Sequence, residues 1–424
     1  MQYINDKGFA TKADKEDPLQ QFRSKFFIPQ HQGKDKIYFT GNSLGLQPKA
    51  AKAALSQELE DWAIYGVDGH FEARNPWFSY HEMFKEKLAK IVGAKAEEVT
   101  AMGGLTTNLH LLMVSFFRPS GKRTKILCEE KAFPSDQYAL ESQMKFHGLN
   151  PEEHIIELSP RAGEHHLREE DIISTIEKEG ESIAMIMIGG VNYYTGQVMP
   201  MEAITKAGHN AGAIVGFDCA HAAGNVALEL HHWGVDFAAW CSYKYLNSGP
   251  GSTAGIFVHE RHAANQELPR FAGWWGTPPE DRFLMKKGFV PDYGADGWQL
   301  SNAPVLAMAV QNIALDIYNK AGRERLIEKQ IGLTAYLEFI LKDISKRFDA
   351  IHFEIITPKE RGSQLSILTH GNGKKLFDLI SKEGVVADWR EPNVIRLAAV
   401  PLYNSYTDVY RFGQIIENAL KEMN

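Results

Sequence analysis

The stretch Val215–Gly251, VGFDCAHAAGNVALELHHWGVDFAAWCSYKYLNSGPG, decides the fold class of this 424-residue chain. It carries two short apolar runs, one starting just upstream at Ala213 and ending at Phe217, the other from Phe237 to Trp240. Each run ends on polar residues that a buried strand must justify. The first is followed by Asp218, with His221 three residues on, and the second leads to Ser242, Tyr243 and Lys244. Strands covered on both faces of a parallel sheet read as near-continuous apolar runs, and ligands of such sheets lie beyond the carboxyl ends of the strands. Asp218 and Lys244 are therefore expected at one ligand.

A carboxylate and an amine delivered by two strand ends are what pyridoxal phosphate requires. The amine bonds to the aldehyde of the cofactor, and the carboxylate pairs with the protonated pyridine nitrogen, so that the ring withdraws electrons from a substrate carbanion. Each residue alone has a plainer reading, because lysines are mostly solvated and an Asp beyond a strand often caps the next helix. Two strand ends, a flanking His and the glycine run after Lys244 together favour the cofactor. That run, Gly249 to Gly255, resembles GxGxxG only superficially: it leads into the strand Ile256–Val258 rather than opening a helix, which excludes a dinucleotide site.

Upstream, Val99–Phe116 (VTAMGGLTTNLHLLMVSF) places apolar side chains at Leu105, Leu109, Leu112, Met113 and Phe116, the spacing of one helical face. Two glycines precede Thr106 and Thr107, and a threonine is placed to cap that helix. Such a start binds phosphate through free N–H groups and the helix dipole, and without a P-loop lysine it suits a cofactor phosphate. An ordinary N-cap fits the same residues. Strand and helix signals then alternate. Lys125–Cys128, Ile155–Leu158 and Ile183–Ile188 read as strands, which argues for βαβ units and a parallel or mixed sheet with helices on both faces. Phe133, at a strand end, can stack on a flat ring or belong to the core. A polar arm precedes Lys36, a short strand breaks into Gly41-Asn42-Ser43-Leu44-Gly45, and a helix spans about Lys49–Ala63. Beyond Pro304 a long helical region leads to a C-terminal α+β part with Arg396 inside its last strand.

Composition bounds the rest. Forty-four per cent hydrophobic and 23% charged residues describe an ordinary globular protein long enough for two domains. A net charge of −7 with no basic block makes nucleic acid and anionic membranes poor partners. The three cysteines, Cys128, Cys219 and Cys241, form no CxxC pair and read as reduced core thiols. With a charged N-terminus lacking an apolar segment, they point to the cytoplasm. No metal site is expected, since His165-His166 and His231-His232 are adjacent pairs and HExxH is absent, and no GxSxG elbow marks a serine hydrolase.

These residues carry a resemblance. GNSLG at 41–45, GHF at 69–71, LTTN at 105–108, FPSD at 133–136, YTGQ at 194–197, DCAHAAGN at 218–225, SYKYLNSGPG at 242–251, GWWG at 273–276 and VPLYNS at 400–405 together resemble the kynureninase family. That resemblance implies a fold type I pyridoxal-phosphate architecture. It would comprise an arm over 1–48 that joins the smaller domain, a large cofactor domain over 49–303 with a mostly parallel sheet sandwiched by helices, and a small α+β domain over 304–424. It makes Lys244 the cofactor lysine and Asp218 the partner of the pyridine nitrogen. Thr106 and Tyr243 hold the phosphate with the backbone of Leu105, Phe133 stacks on the ring, and Asp136 and His221 line the pocket. Trp274 and Asn302 complete the site from the neighbouring subunit of a homodimer. Ser43, His70, Asn302 and Arg396 are the implied substrate contacts, with the Arg396 fork on the substrate α-carboxylate.

The implied activity is hydrolytic Cβ–Cγ cleavage of kynurenine or 3-hydroxykynurenine to an anthranilate and alanine, in tryptophan catabolism and NAD biosynthesis. The pairing of His70 with Asn302 implies a preference for the hydroxylated ring. One departure stands out: the family often has a serine where this chain has Gly189. Among other activities, an aminotransferase or a cysteine desulfurase-like lyase shares the fold, but the latter needs a mobile loop cysteine. A catalytically idle binding protein would not need Lys244, Asp218 and Arg396 together.

Overall fold

A computed structural model describes residues 2–348 and 353–423. Seven strands form the main sheet: β1 (Val99–Ala101), β2 (Lys125–Glu129), β3 (Ile155–Leu158), β4 (Ile183–Gly189), β5 (Ile214–Asp218), β6 (Phe237–Trp240) and β7 (Gly255–Val258). Their spatial order is β1-β7-β6-β5-β4-β2-β3, and all neighbours pair parallel except β7, which is antiparallel to both β1 and β6.

Successive strand residues point to opposite faces, and here both faces are dry. Leu127, Ile186, Ile188, Phe217, Ala238, Trp240 and Phe257 join one core with the helices Glu82–Val92, Glu169–Glu179, Met201–Ala211 and Val305–Ala321. The alternate residues Ile126, Cys128, Met185, Met187, Phe237, Ala239, Ile256 and Val258 join a second core under the helices Leu105–Phe116 and Pro134–Phe146. This double covering is why the strands read as unbroken apolar runs.

A third core lies under a four-stranded antiparallel sheet made of β8 (Phe353–Ile355), β9 (Gln364–Thr369), β10 (Asp388–Arg390) and β11 (Val394–Ala398), in the order β8-β9-β11-β10. The helices Arg323–Ser345 and Tyr406–Met423 pack on it. The expected long helix after Pro304 is two helices, because Gly322 at φ 84° breaks it. The N-terminal arm is helical only over Lys7–Glu16, with a 3-10 turn at Gln20–Lys25 and two short strands, Gln30–His31 and Lys34–Asp35. No helix among the described residues is long and apolar enough to cross a membrane.

Candidate active site

The carboxyl ends of β2, β4 and β5 finish on Glu129, Gly189 and Asp218, and the loop after β6 brings Lys244 to the same end of the sheet. All four line one cavity of about 260 Å³, together with Leu105, Thr106, Thr107, Phe133, Asp136, Tyr193, His221 and Tyr243. Strand direction alone explains the convergence, since parallel neighbours deliver their last residues to one edge. The sequence rule that paired Asp218 with Lys244 therefore describes the tertiary arrangement.

At the cavity's phosphate-compatible end the helix Leu105–Phe116 begins after Gly104, whose cap position makes no side-chain hydrogen bond. The expected threonine cap is not formed. Thr106 and Thr107 lie inside the first turn, which leaves its N–H groups free for an anion. Across the cavity the Lys244 Nζ stands 5.8 Å from the centroid of the Phe133 ring. Phe133 itself is held edge-on by Tyr193 at 5.2 Å. It is half-exposed rather than core, so one ring face remains available.

The buried polar groups are unevenly satisfied. Asp218 accepts the Ala220 N–H at 2.6 Å. Burial raises its pKa, while Lys244 opposes that rise. Asp136 is raised further, by burial and then by the charge of Asp218. Asp136 Oδ1 and His221 Nδ1 have no protein partner although both are buried. Burial drives His221 well below its usual range, so its ring stays neutral. Burial likewise raises the Tyr243 phenol, which stays protonated. Unpartnered buried donors and acceptors around a cavity are expected to have a ligand as their partner, and this donor set fits pyridoxal phosphate: free N–H groups for the phosphate, a flat aromatic face, an amine and a carboxylate.

The loop Gly41–Gly45 closes against the lysine segment. Gly45 N–H donates to the Tyr243 carbonyl at 2.8 Å, and a β-carbon on Gly45 would stand 2.4 Å from the Lys244 carbonyl oxygen. Only glycine permits that approach. The remaining expected residues do not line the cavity within one chain. Ser43 and Asn302 are exposed at the surface, and Trp274 donates its indole N–H to the Arg282 carbonyl at 2.9 Å. His70 Nδ1 is 2.9 Å from the Val67 carbonyl. Arg396 is buried behind Tyr193, donating to its carbonyl at 2.6 Å and pairing with Asp388.

Sequence reasoning missed Glu129 and Tyr193. The signal for Glu129 was present: an acidic residue closes an apolar strand, as in Asp218. It also missed a group of His231, His259 and Glu98, whose ligand-type atoms lie within 4.8 Å of one another. Adjacency in sequence had argued against His231, but the partners come from distant segments, Glu98 just before β1 and His259 just after β7. The Glu98 oxygens already accept N–H groups of Lys95 at 2.9 Å and Glu260 at 2.8 Å.

Comparison with known proteins agrees with this architecture. An aminotransferase class-V family model matches residues 37–352, and a kynureninase C-terminal domain model matches residues 326–416. The chain is 57% identical to a kynureninase of Flavobacterium psychrophilum across 100% of both chains. It is 47% identical to one of Nematostella vectensis, covering 99% of this chain and 95% of that one. In fold it is similar to the cysteine desulfurase CsdA of Escherichia coli, with a TM-score of 0.76, 17% identity and coverage of 95% and 98%. The cystine C–S lyase C-DES, in complex with its product cysteine persulfide, gives 0.74 and 15%, covering 90% of this chain and 97% of that one. Half-identity sustained over the whole length separates the relatives that share chemistry from those that share only architecture, and by it the chain belongs to the kynureninase family of pyridoxal phosphate-dependent hydrolases acting on carbon–carbon bonds.

Proposed function

We propose that the chain cleaves the Cβ–Cγ bond of L-kynurenine and 3-hydroxy-L-kynurenine to an anthranilate and L-alanine, with 3-hydroxykynurenine preferred, in the tryptophan catabolism that feeds NAD biosynthesis. The observation that carries the reading is the meeting of Lys244 and Asp218 at one cavity that opens beside a capless helix start. Bound pyridoxal phosphate supplies a sink for the negative charge that builds on the substrate. Lys244 bonds the cofactor and serves as the base at the substrate's Cα. Asp218 keeps the pyridine nitrogen protonated, and Asp136 and the neutral His221 beside it in the cavity fix its orientation. Thr106, Tyr243 and the Leu105 backbone hold the phosphate, and Phe133 packs on the ring. Tyr243, kept protonated by burial, donates and recovers protons as water adds to the aryl ketone. Arg396, reached past Tyr193, takes the α-carboxylate.

A second copy completes the site. His70, Phe71, Phe78, Phe283 and Trp274 form a continuous edge of aromatic contacts with neighbouring centroids 5.6 to 6.5 Å apart. Phe71, Trp274 and Phe283 in that edge, and Trp62, Ile64 and Val67 nearby in sequence, are exposed. Apolar surface of this kind is covered in assemblies. Its inclusion of both His70 and Trp274 supports a homodimer in which these residues and Asn302 serve the partner's cavity. An amide and an imidazole satisfy the substrate's ring hydroxyl, and such pairing gives about tenfold to a hundredfold discrimination. The test is kcat/KM for both substrates: 3-hydroxykynurenine should be the better one, and replacing His70 and Asn302 together by Ala should lower the ratio. A wild-type preference for the unsubstituted ring, or equal losses on both substrates, overturns the preference.

A further inference from the structure

Glu129 is the one carboxyl of the cavity to which the proposed reaction gives no task. It is buried at the end of β2. Its Oε2 accepts the Asn192 side-chain N–H at 2.9 Å, and the Gly189 backbone N–H also donates to the carboxylate. Gly189 is the residue that makes room for it, since a β-carbon there would stand 2.9 Å from Glu129 Oε1. Gly189 is also the register partner of Asp218 across β4 and β5. The glycine that departs from the usual serine thus sits between two carboxyls, one on each neighbouring strand.

The charged or titratable groups around Glu129 on its own face are Asp218, Asp136 and the Tyr193 phenol, none of them a cation. Lys244 is the cation of the same cavity, and it is committed to the cofactor. Two N–H donors hold Glu129 as an acceptor, which favours its charged form, while burial opposes that form. A buried negative charge with no side-chain cation is tolerated where a ligand brings the positive charge. The protonated ring nitrogen is such a charge, and the carboxyl that meets it, Asp218, stands two strands away from Glu129.

We propose that Glu129 is a positioning residue for the nitrogen end of the cofactor: its charge, held by Asn192 and Gly189 on the far side of β4 from Asp218, raises the proton affinity of the ring nitrogen. The inference rests on the assignment of Asp218 to the ring nitrogen. A unit charge two strands, about 10 Å, away in a partly screened interior of effective dielectric about 20 changes proton affinity on the order of tenfold.

The test is a pH titration of the ring nitrogen by 15N NMR, in holoenzyme reconstituted with 15N-labelled pyridoxal phosphate. The variants are Glu129→Gln, which keeps the shape and removes the charge, and Glu129→Asp, which restores a charge. The wild-type nitrogen should hold its proton to a pH higher than the Glu129→Gln nitrogen, with about a tenfold difference in acid dissociation, and Glu129→Asp should recover most of it. Superimposable titrations of wild type and Glu129→Gln overturn the proposal, as does an Asp variant that follows Gln. Turnover of kynurenine is a separate readout. A wild type that ignores kynurenine while the Glu129→Gln titration shifts overturns the substrate assignment and leaves the role of Glu129 standing.

Discussion

The two ends of the main sheet treat buried carboxylates in opposite ways. At the amino end of β6, Asp236 accepts from His209 at 2.8 Å, His262 at 2.8 Å and the Val215 N–H at 2.8 Å. Burial works to raise its pKa, but these bonds outweigh burial and hold it well below the usual carboxylate range. Glu98, entirely buried just before β1, is likewise enclosed by His231 at 2.9 Å and two backbone N–H groups. At the carboxyl end burial wins. Glu129 is pushed up to about 7, and Asp136 keeps an oxygen with no partner. Residue type and burial are alike at the two ends, so neither marks the active site. Satisfaction does: the amino end is closed on itself and stabilises the fold, whereas the carboxyl end reserves its bonding capacity for a ligand.

Three substitutions sharpen that contrast. The largest effect is expected from Lys244→Ala, which should reduce kynurenine turnover to background and abolish borohydride-trapped cofactor on this peptide. Unfolding of the cofactor-free protein should change by less than about 1 kcal/mol, since a half-exposed lysine contributes little to packing. A retained adduct on another lysine breaks the assignment.

Asp236→Ala should show the reverse pattern. It leaves two part-buried histidines and a buried backbone N–H without their acceptor, and denaturant unfolding should report a loss of about 3 kcal/mol while the KM for kynurenine stays put. The depressed pKa makes the wild-type contribution fully present above about pH 4 and lost as the pH falls below it. The difference between wild type and variant should therefore shrink in acid. A difference that grows in acid refutes the paired-carboxylate account.

The smallest effect, with the opposite sign, belongs to Glu129→Gln in the cofactor-free protein. Folding raises the Glu129 pKa from 4.5 to about 7, so the folded state binds more protons than the unfolded chain across that interval. Stability contributed by this residue then falls as pH rises through that interval. Glu129→Gln should accordingly be more stable than wild type at pH 8 and no more stable at pH 5. Equal stabilities at both would show that Asn192 and Gly189 satisfy the carboxylate as fully as the histidines satisfy Asp236.

Much of the architecture was legible because parallel sheets enforce local signatures. Strands covered on both faces must be apolar throughout, so β2 and β4 to β7 stood out within a residue or two of their ends, and Asp218 and Lys244 stood out as polar residues closing or following such runs. The helix over Leu105–Phe116 was legible from its periodicity, but its cap was not. Whether Thr106 caps or lies in the first turn depends on one backbone torsion at Gly104, to which composition is blind. The His–carboxylate clusters were illegible for a related reason. His231, His259 and Glu98 are brought together by β7 running antiparallel between β1 and β6, a pairing that no spacing along the chain encodes.

The sequence by itself determined the element types, the cofactor chemistry that Lys244 and Asp218 can support and, through motifs spread from GNSLG to VPLYNS, the family. Those properties follow from side-chain identity and local periodicity. Only the tertiary structure decided which polar groups are satisfied. Glu129 became a member of the site because Gly189 leaves space beside it and Asn192 turns toward it. Within one chain, Ser43, His70, Trp274 and Asn302 lie away from the cavity although their motifs are as clear as that of Lys244. Burial, charge balance and distance are properties of three-dimensional neighbours, and hydrogen-bond satisfaction is fixed only when strands from distant parts of the chain are set side by side.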